Sequence, residues 1–223
     1  MSNNSYRYTE PIEMPRGKKY GSNYNVFQSP KLNRRVATFS NLEFYHCLKL
    51  EMNPDVEYYC EQPARLSTYV DGAGGVVHFV PDVYVVMRDG KEYFVEVKYR
   101  SELQKDDTKR QIVAESKYSR ENGLLYKLST EKEILSSNFI AESRLQMVEY
   151  VNRYRYEFDD YVFDRLLLFL IHNQHVTVEA LIENGIVDLS KALALVSVSI
   201  FNGIVTVTEK GRPFDLKTEV VAR

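Results

Sequence analysis

Between Phe79 and Tyr99 the chain reads FVPDVYVVMRDGKEYFVEVKY, two short β-branched, apolar runs separated by Arg88-Asp89-Gly90. Such a pair predicts a β-hairpin. Side chains alternate along a strand, so Glu96 and Lys98 share one face while Val95 and Val97 pack behind. Where Asp82 stands depends on register. A two-residue turn at Asp89-Gly90 would set Asp82 opposite Val97 and put Glu96 on the wrong face. A three-residue loop from Arg88 to Gly90, with its left-handed residue last where Gly90 stands, sets Asp82 opposite Glu96. The second register gathers both carboxylates beside the lysine, and it is the one expected.

Around this hairpin the periodicity alternates between helix and strand. Ser40-Asn-Leu-Glu43 reads as a capping box opening a helix, with Leu42, Tyr45, Leu48 and Met52 as its stripe and Asn53-Pro54 as its end. Val56 to Pro63 and Arg65 to Val70 read as short strands, and the glycine-rich loop 71–75 as a hairpin connection. Ser101 to Asn122 is amphipathic, with Leu103, Ile112, Val113 and Tyr118 inward and Gly123 as its stop. Leu124 to Leu128 follows as a core strand, and Thr130-x-x-Glu133 opens another helix. Strand, helix and strand after a hairpin predict an α/β (α+β) fold with a mixed sheet flanked by helices.

From about Asn138 the chain turns helical in one long run to His172. Thr177–Asn184 and Leu189–Phe201 are the next helices, the latter capped by Asp188. Val205 onward, a tip at Lys210-Gly211-Arg212-Pro213, and Phe214–Val220 read as a second hairpin. Three helices and a hairpin suggest a small winged-helix-like domain. The expected organisation is an extended arm over 1–35, a central domain over 36–149 and the winged-helix-like domain over 150–223.

Composition adjusts this picture in three places. No run approaches the roughly 18 uncharged apolar residues of a membrane span; the most apolar, Val162–Ile171, contains Asp164 and Arg165. No secretory apolar region follows Met1, and two cysteines, Cys47 and Cys60, suit buried thiols in a reducing cytoplasm. The four histidines show no metal-ligand spacing. Net charge is −2, but residues 1–35 carry seven Lys/Arg against two Glu, interleaved with tyrosines. Arg16, Lys18, Lys19, Arg34 and Arg35 there suit a nucleic-acid backbone; the other reading is a tail that happens to be basic. From Tyr150 onward eight basic residues face ten acidic ones, and Leu189–Phe201 offers only Lys191 and serines. That suits a protein-docking module better than a base-reading helix.

Two adjacent carboxylates repel, which favours a hard divalent cation between them, and oxygen ligands suit Mg²⁺ or Mn²⁺. A nearby ammonium positions water or stabilises charge on a phosphate. The PD…ExK pattern of Asp82, Glu96 and Lys98 resembles the PD-(D/E)xK nuclease superfamily. The order S-N-L-E on a helix, N-P-D-V, E-Q-P, V-P-D-V and F-V-E-V-K, from Ser40 to Glu133, further resembles the TnsA endonuclease family, the accessory nucleases of heteromeric cut-and-paste transposons. The resemblance implies a restriction-endonuclease-like fold. It implies Glu43, Asp82, Glu96 and Lys98 as catalytic residues, with Asp82, Glu96 and the Val97 carbonyl on Mg²⁺. If the hairpin binds DNA, Lys105 and Lys109, on the helix after it, lie near the acidic cluster and could hold phosphate; the other reading of these charges is an ordinary solvated helix face. The implied partners are transposon-end DNA, a DDE-type transposase subunit (TnsB-like) and an AAA+ ATPase regulator (TnsC-like) in a bacterial cytoplasm, with no membrane. Two other readings remain: a stand-alone restriction or repair nuclease of the same superfamily, and a non-catalytic DNA-binding scaffold.

Overall fold

The computed structural model describes residues 6–13, 23–71, 75–135, 141–208 and 212–223. Arg16, Lys18, Lys19 and the Lys210-Gly211 tip lie outside the described residues. The chain divides into two compact units. The first comprises Met1–Phe27, Arg35–His46 and Val56–Glu131; the second comprises Gln28–Arg34, Cys47–Asp55 and Lys132–Arg223.

The first unit is built on a four-stranded sheet in the order β3-β6-β7-β8, with β3 at Val56–Glu61, β6 at Val83–Met87, β7 at Glu92–Val97 and β8 at Leu125–Ser129. β3, β6 and β7 run antiparallel, and β8 is parallel to β7, so the sheet is mixed. The β6–β7 register is the three-residue-loop one: Val83 faces Val95 and Val86 faces Glu92. Gly90 closes the loop at φ +81°, donating its N–H to the Met87 carbonyl over 2.9 Å. β4 (Leu66–Val70) and β5 (Gly75–Phe79) form a separate antiparallel ribbon.

Between β7 and β8, helix α2 (Asp106–Glu121) crosses over the sheet; α1 (Asn41–Glu51) precedes β3. A single 3₁₀ turn occupies Arg100–Glu102, so α2 begins later than the sequence periodicity suggests. Val113, expected inward, is 52% exposed, while Thr108, Ala114, Glu115 and Ser119 are buried. The apolar count misleads because the inward face of α2 covers polar groups on the sheet. At its end Gly123 (φ +68°) lets Leu124 N–H reach the Ser119 carbonyl at 2.8 Å, a Schellman closure.

The N-terminal residues also differ from a free arm. Residues 25–29 and 34–38 form the strands β1 and β2 of a hairpin, which carries Arg34 and Arg35. Residues 6–13 lie docked as a strap. Tyr6 stacks on Tyr58 at 4.1 Å, and Tyr8 meets Tyr84 edge-on at 5.0 Å. Arg7 pairs with Glu92 at 2.9 Å, and the Tyr58 hydroxyl donates to the Thr9 carbonyl at 2.9 Å. These tyrosines find aromatic partners within the chain itself, where about 0.5–1.5 kcal/mol per ring pair accrues beyond buried area.

In the second unit follow α3 (Glu131–Leu135), α4 (Ala141–Tyr154), α5 (Asp160–His172), β9 (Val176–Thr177), α6 (Val178–Glu183), α7 (Ala192–Phe201), β10 (Val205–Val207) and β11 (Glu219–Ala222). The single long helix expected to His172 is two. Asp159 accepts a hydrogen bond from Val162 N–H at 3.0 Å and starts α5 as its N-cap. Asp188 makes no such cap bond, and a 3₁₀ turn at Leu189–Lys191 leads into α7 instead. The strand expected over 214–220 is displaced to β11, because the Asp215 carboxylate accepts from Lys217 N–H at 2.8 Å and folds 215–218 into a turn. The sheet order is β10-β11-β9. Residues 194–200 of α7 are all buried, and α4 packs along it. The Cys47 and Cys60 thiols are buried and form no disulfide. Among the described residues no helix is long and apolar enough to cross a membrane.

Candidate active site

Three segments of the first unit converge at the open end of the β6–β7 hairpin. Continuing the observed register by one residue sets Asp82 opposite Glu96. Asp82 is held from both sides: its carbonyl accepts Gln62 N–H at 2.9 Å, and its Oδ2 accepts Val97 N–H at 2.7 Å. Val95 and Val97 are buried behind the strand, as alternation requires. Glu96 is wholly buried, and its Oε1 forms an ion pair with the Lys98 ammonium. Lys98 N–H continues the β7–β8 ladder to the Ser129 carbonyl at 3.1 Å.

Glu43 performs two tasks. Its N–H donates to Ser40 Oγ at 3.1 Å, the serine half of the expected capping box, while its Oε1 accepts the Ser40 hydroxyl at 2.9 Å. Its Oε2 accepts Phe39 N–H at 3.0 Å and the Gln62 side-chain amide at 3.3 Å. Burial, then the charge of Asp82, pushes its carboxyl up to about 7.

Behind Glu96 stands a group that sequence reasoning passed over. The Gln111 amide nitrogen donates to Glu96 Oε1 and to Glu115 Oε1, each at 2.8 Å. Both acceptors are carboxylate oxygens, which fixes the amide with its nitrogen toward them. The Tyr126 hydroxyl donates to Glu115 Oε2 at 3.1 Å. Glu115 has no exposure and its carboxyl rises to about 7, chiefly by burial. The signal was present as two polar residues one helical turn apart, Gln111 and Glu115. It was masked by the expectation that the inward face is apolar.

The electrostatics follow from crowding. Glu96 is held well above the ordinary carboxylate range, by burial first, then by the charges of Asp82 and Glu115. Burial alone would lower the Lys98 ammonium, but the charges of Asp82 and Glu96 outweigh it and raise it. Lys98 is therefore a fixed cation and no general base at neutral pH.

Among the described residues no group of three or more His, Cys, Asp or Glu is gathered as a complete metal cage. Glu43 is braced by its cap and by Gln62, and Glu115 by Gln111 and Tyr126; Asp82 and Glu96 are the two carboxylates that stand opposite each other beside Lys98. Glu96 Oε2 is buried and has no hydrogen-bond partner. A buried carboxylate oxygen left unpaired is costly unless a cation or a proton meets it. Two carboxylates, waters and substrate phosphates are the usual surroundings of magnesium, so these residues fit that ion.

Of the candidate phosphate contacts, Lys105 pairs with Glu102 at 3.0 Å and Lys109 with Asp106 at 3.7 Å, each within its own turn on an exposed surface. Arg34 is half-buried and Arg35 exposed on β2.

Residues 53–131, just over a third of the 223-residue chain, match the family model of the TnsA-like endonuclease N-terminal domain. Over this segment the chain is similar to that endonuclease domain. The segment spans β3 to the start of α3 and includes Asp82, Glu96, Lys98, Gln111, Glu115 and Tyr126. Glu43 precedes the matched residues, so the match is narrower than the Ser40–Glu133 resemblance. No curated protein is matched by the chain. The TnsA-like domain supports a nuclease role.

Proposed function

We propose that this protein is the Mg²⁺-dependent DNA endonuclease subunit of a heteromeric cut-and-paste transposase, cleaving the 5′ ends of the transposon. The observation that carries the reading is the unpartnered buried Oε2 of Glu96, beside Asp82 and the fixed cation Lys98, inside the TnsA-like domain. Asp82, Glu96 and the Val97 carbonyl would hold magnesium, with manganese as a substitute. When bound, the ion lowers the pKa of water and offsets phosphate charge. Val97 N–H orients the Asp82 carboxylate, and Gln111 braces Glu96. The Lys98 ammonium stabilises the charge that builds on the phosphate as the strand is cut. Glu43, with a carboxyl near 7, accepts a proton from or orients the attacking water at neutral pH.

The second unit supports a docking role. Its order α5-β9-α6-α7-β10-β11 accords with a winged-helix reading, but its third helix, α7, is buried along its length and has no free face for a DNA groove. Partner proteins would then choose the site: a DDE-type TnsB-like transposase for the 3′ strands and an AAA+ TnsC-like regulator.

The test is strand-specific nicking of transposon-end DNA with purified partners and Mg²⁺, for wild type, Asp82→Ala and Lys98→Ala. Loss of the 5′-strand cuts in both variants, with partner binding retained, is expected. Undiminished cutting by both would remove the catalytic assignment, and cutting without partners would favour the stand-alone nuclease.

A further inference from the structure

Gln62 follows β3 directly and precedes Pro63, with φ at +38°. A residue with a side chain rarely adopts that conformation, and a following proline restricts it further. The Gln62 side chain is buried as well. Three hydrogen bonds meet there. Its N–H donates to the Asp82 carbonyl at 2.9 Å, its carbonyl accepts Ile12 N–H at 3.0 Å, and its amide nitrogen donates to Glu43 Oε2 at 3.3 Å. One strained residue thus touches the strand start that bears Asp82, the helix start that bears Glu43, and the docked strap. Glycine or asparagine would make the same turn at less cost. What glutamine adds is the length to reach Glu43.

We infer that Gln62 is a positioning residue of the active site: it sets the Glu43 carboxylate against Asp82 and ties both to the N-terminal strap. The inference rests on the nuclease reading above. Backbone outliers that persist at the edge of a site are where strain serves function. The strap is anchored on either side of this contact, by Tyr58 on Thr9 and by Arg65, whose guanidinium donates to the Glu13 carbonyl at 3.0 Å. The Ile12 contact is therefore a held one.

The experiment compares Gln62→Gly, Gln62→Asn and Ile12→Pro with wild type in the partner-reconstituted nicking assay. Melting temperature and magnesium titration calorimetry on each protein accompany it. Gln62→Gly relieves the strain, so its melting temperature should equal or exceed that of wild type. Magnesium affinity at Asp82 and Glu96 should stay within about twofold, because glycine keeps the N–H to Asp82. Misplacing a carboxylate that handles the proton of the attacking water forfeits part of a contribution of roughly 10²- to 10⁴-fold, so kcat should fall about 10-fold or more with KM for DNA unchanged. Gln62→Asn, which makes the turn but falls short of Glu43, should behave alike. Ile12→Pro, which lacks the N–H, should lower kcat several-fold. Wild-type kcat in both Gln62 variants would overturn the inference, leaving only a turn residue; wild-type kcat in Ile12→Pro would overturn the link to the strap. Asp82→Ala, run alongside, separates the two readings. If it cuts normally, the nuclease reading fails; if it is dead while Gln62→Gly is fully active, only the positioning role fails.

Discussion

The raised carboxyls of the site make a stability prediction whose sign can be worked out. Glu115 goes from 4.5 to about 7 on folding, chiefly because it is buried. Between those values the folded protein keeps a proton that the unfolded chain has released. The contribution of Glu115 to stability is therefore fully present below pH 4.5 and is lost as pH rises through about 7. At 1.36 kcal/mol per unit, the loss is on the order of 3 kcal/mol. For a chain of this size that corresponds to roughly 6–12 °C in melting temperature. Glu43, raised equally, and Glu96, also raised by burial, act in the same direction. The assay is thermal unfolding in EDTA from pH 5 to 8.5, comparing wild type with Glu115→Gln. The variant keeps an oxygen for its neighbours but cannot ionise, so its curve should be flatter and should cross above wild type near pH 7 to 8. Magnesium should raise the wild-type melting temperature more at pH 8 than at pH 6, because it offsets charge present only at the higher pH. Parallel curves for the two proteins would refute the reasoning.

Three further outcomes test other parts of the structure. Gln111→Met keeps volume but cannot bridge Glu96 and Glu115; magnesium affinity by calorimetry should weaken about 10- to 100-fold, as for other residues that orient a metal ligand. Gly90→Ala meets no atom within 4 Å but must hold φ +81°, so it should cost about 1–2 kcal/mol in denaturant unfolding without altering magnesium affinity. Asp159→Ala removes the N-cap of α5 and should cost about 1 kcal/mol, read as a lower unfolding midpoint of the second unit, with nicking unchanged.

Much of the site's frame is local and was legible in the sequence for that reason. The hairpin register follows from side-chain alternation plus one left-handed glycine, and it alone places Asp82 opposite Glu96. The Ser40–Glu43 cap lies within four consecutive residues: Ser40 Oγ accepts the Glu43 N–H as read, while the reciprocal bonds come from Phe39 N–H and the Ser40 hydroxyl. The mixed sheet follows from the order of strand and helix signals. What the sequence concealed depends on meetings between distant segments. Gln111 and Glu115 face inward because α2 covers the buried Glu96 carboxylate, so polarity on that face marks the candidate site, and Val113 is turned to solvent. The tyrosines of the strap read as material for an outside ligand until Tyr58, Tyr84 and Phe94 were brought against them from elsewhere in the chain. The left-handed turn at Gln62 shows no glycine or asparagine to announce it; contacts from Ile12, Glu43 and Asp82 hold the residue there. Propensity and periodicity act over a few residues and determine elements. Strain, polar burial and the shared amide of Gln111 exist only once sheet, helix and strap are assembled, and so only the tertiary structure decided them.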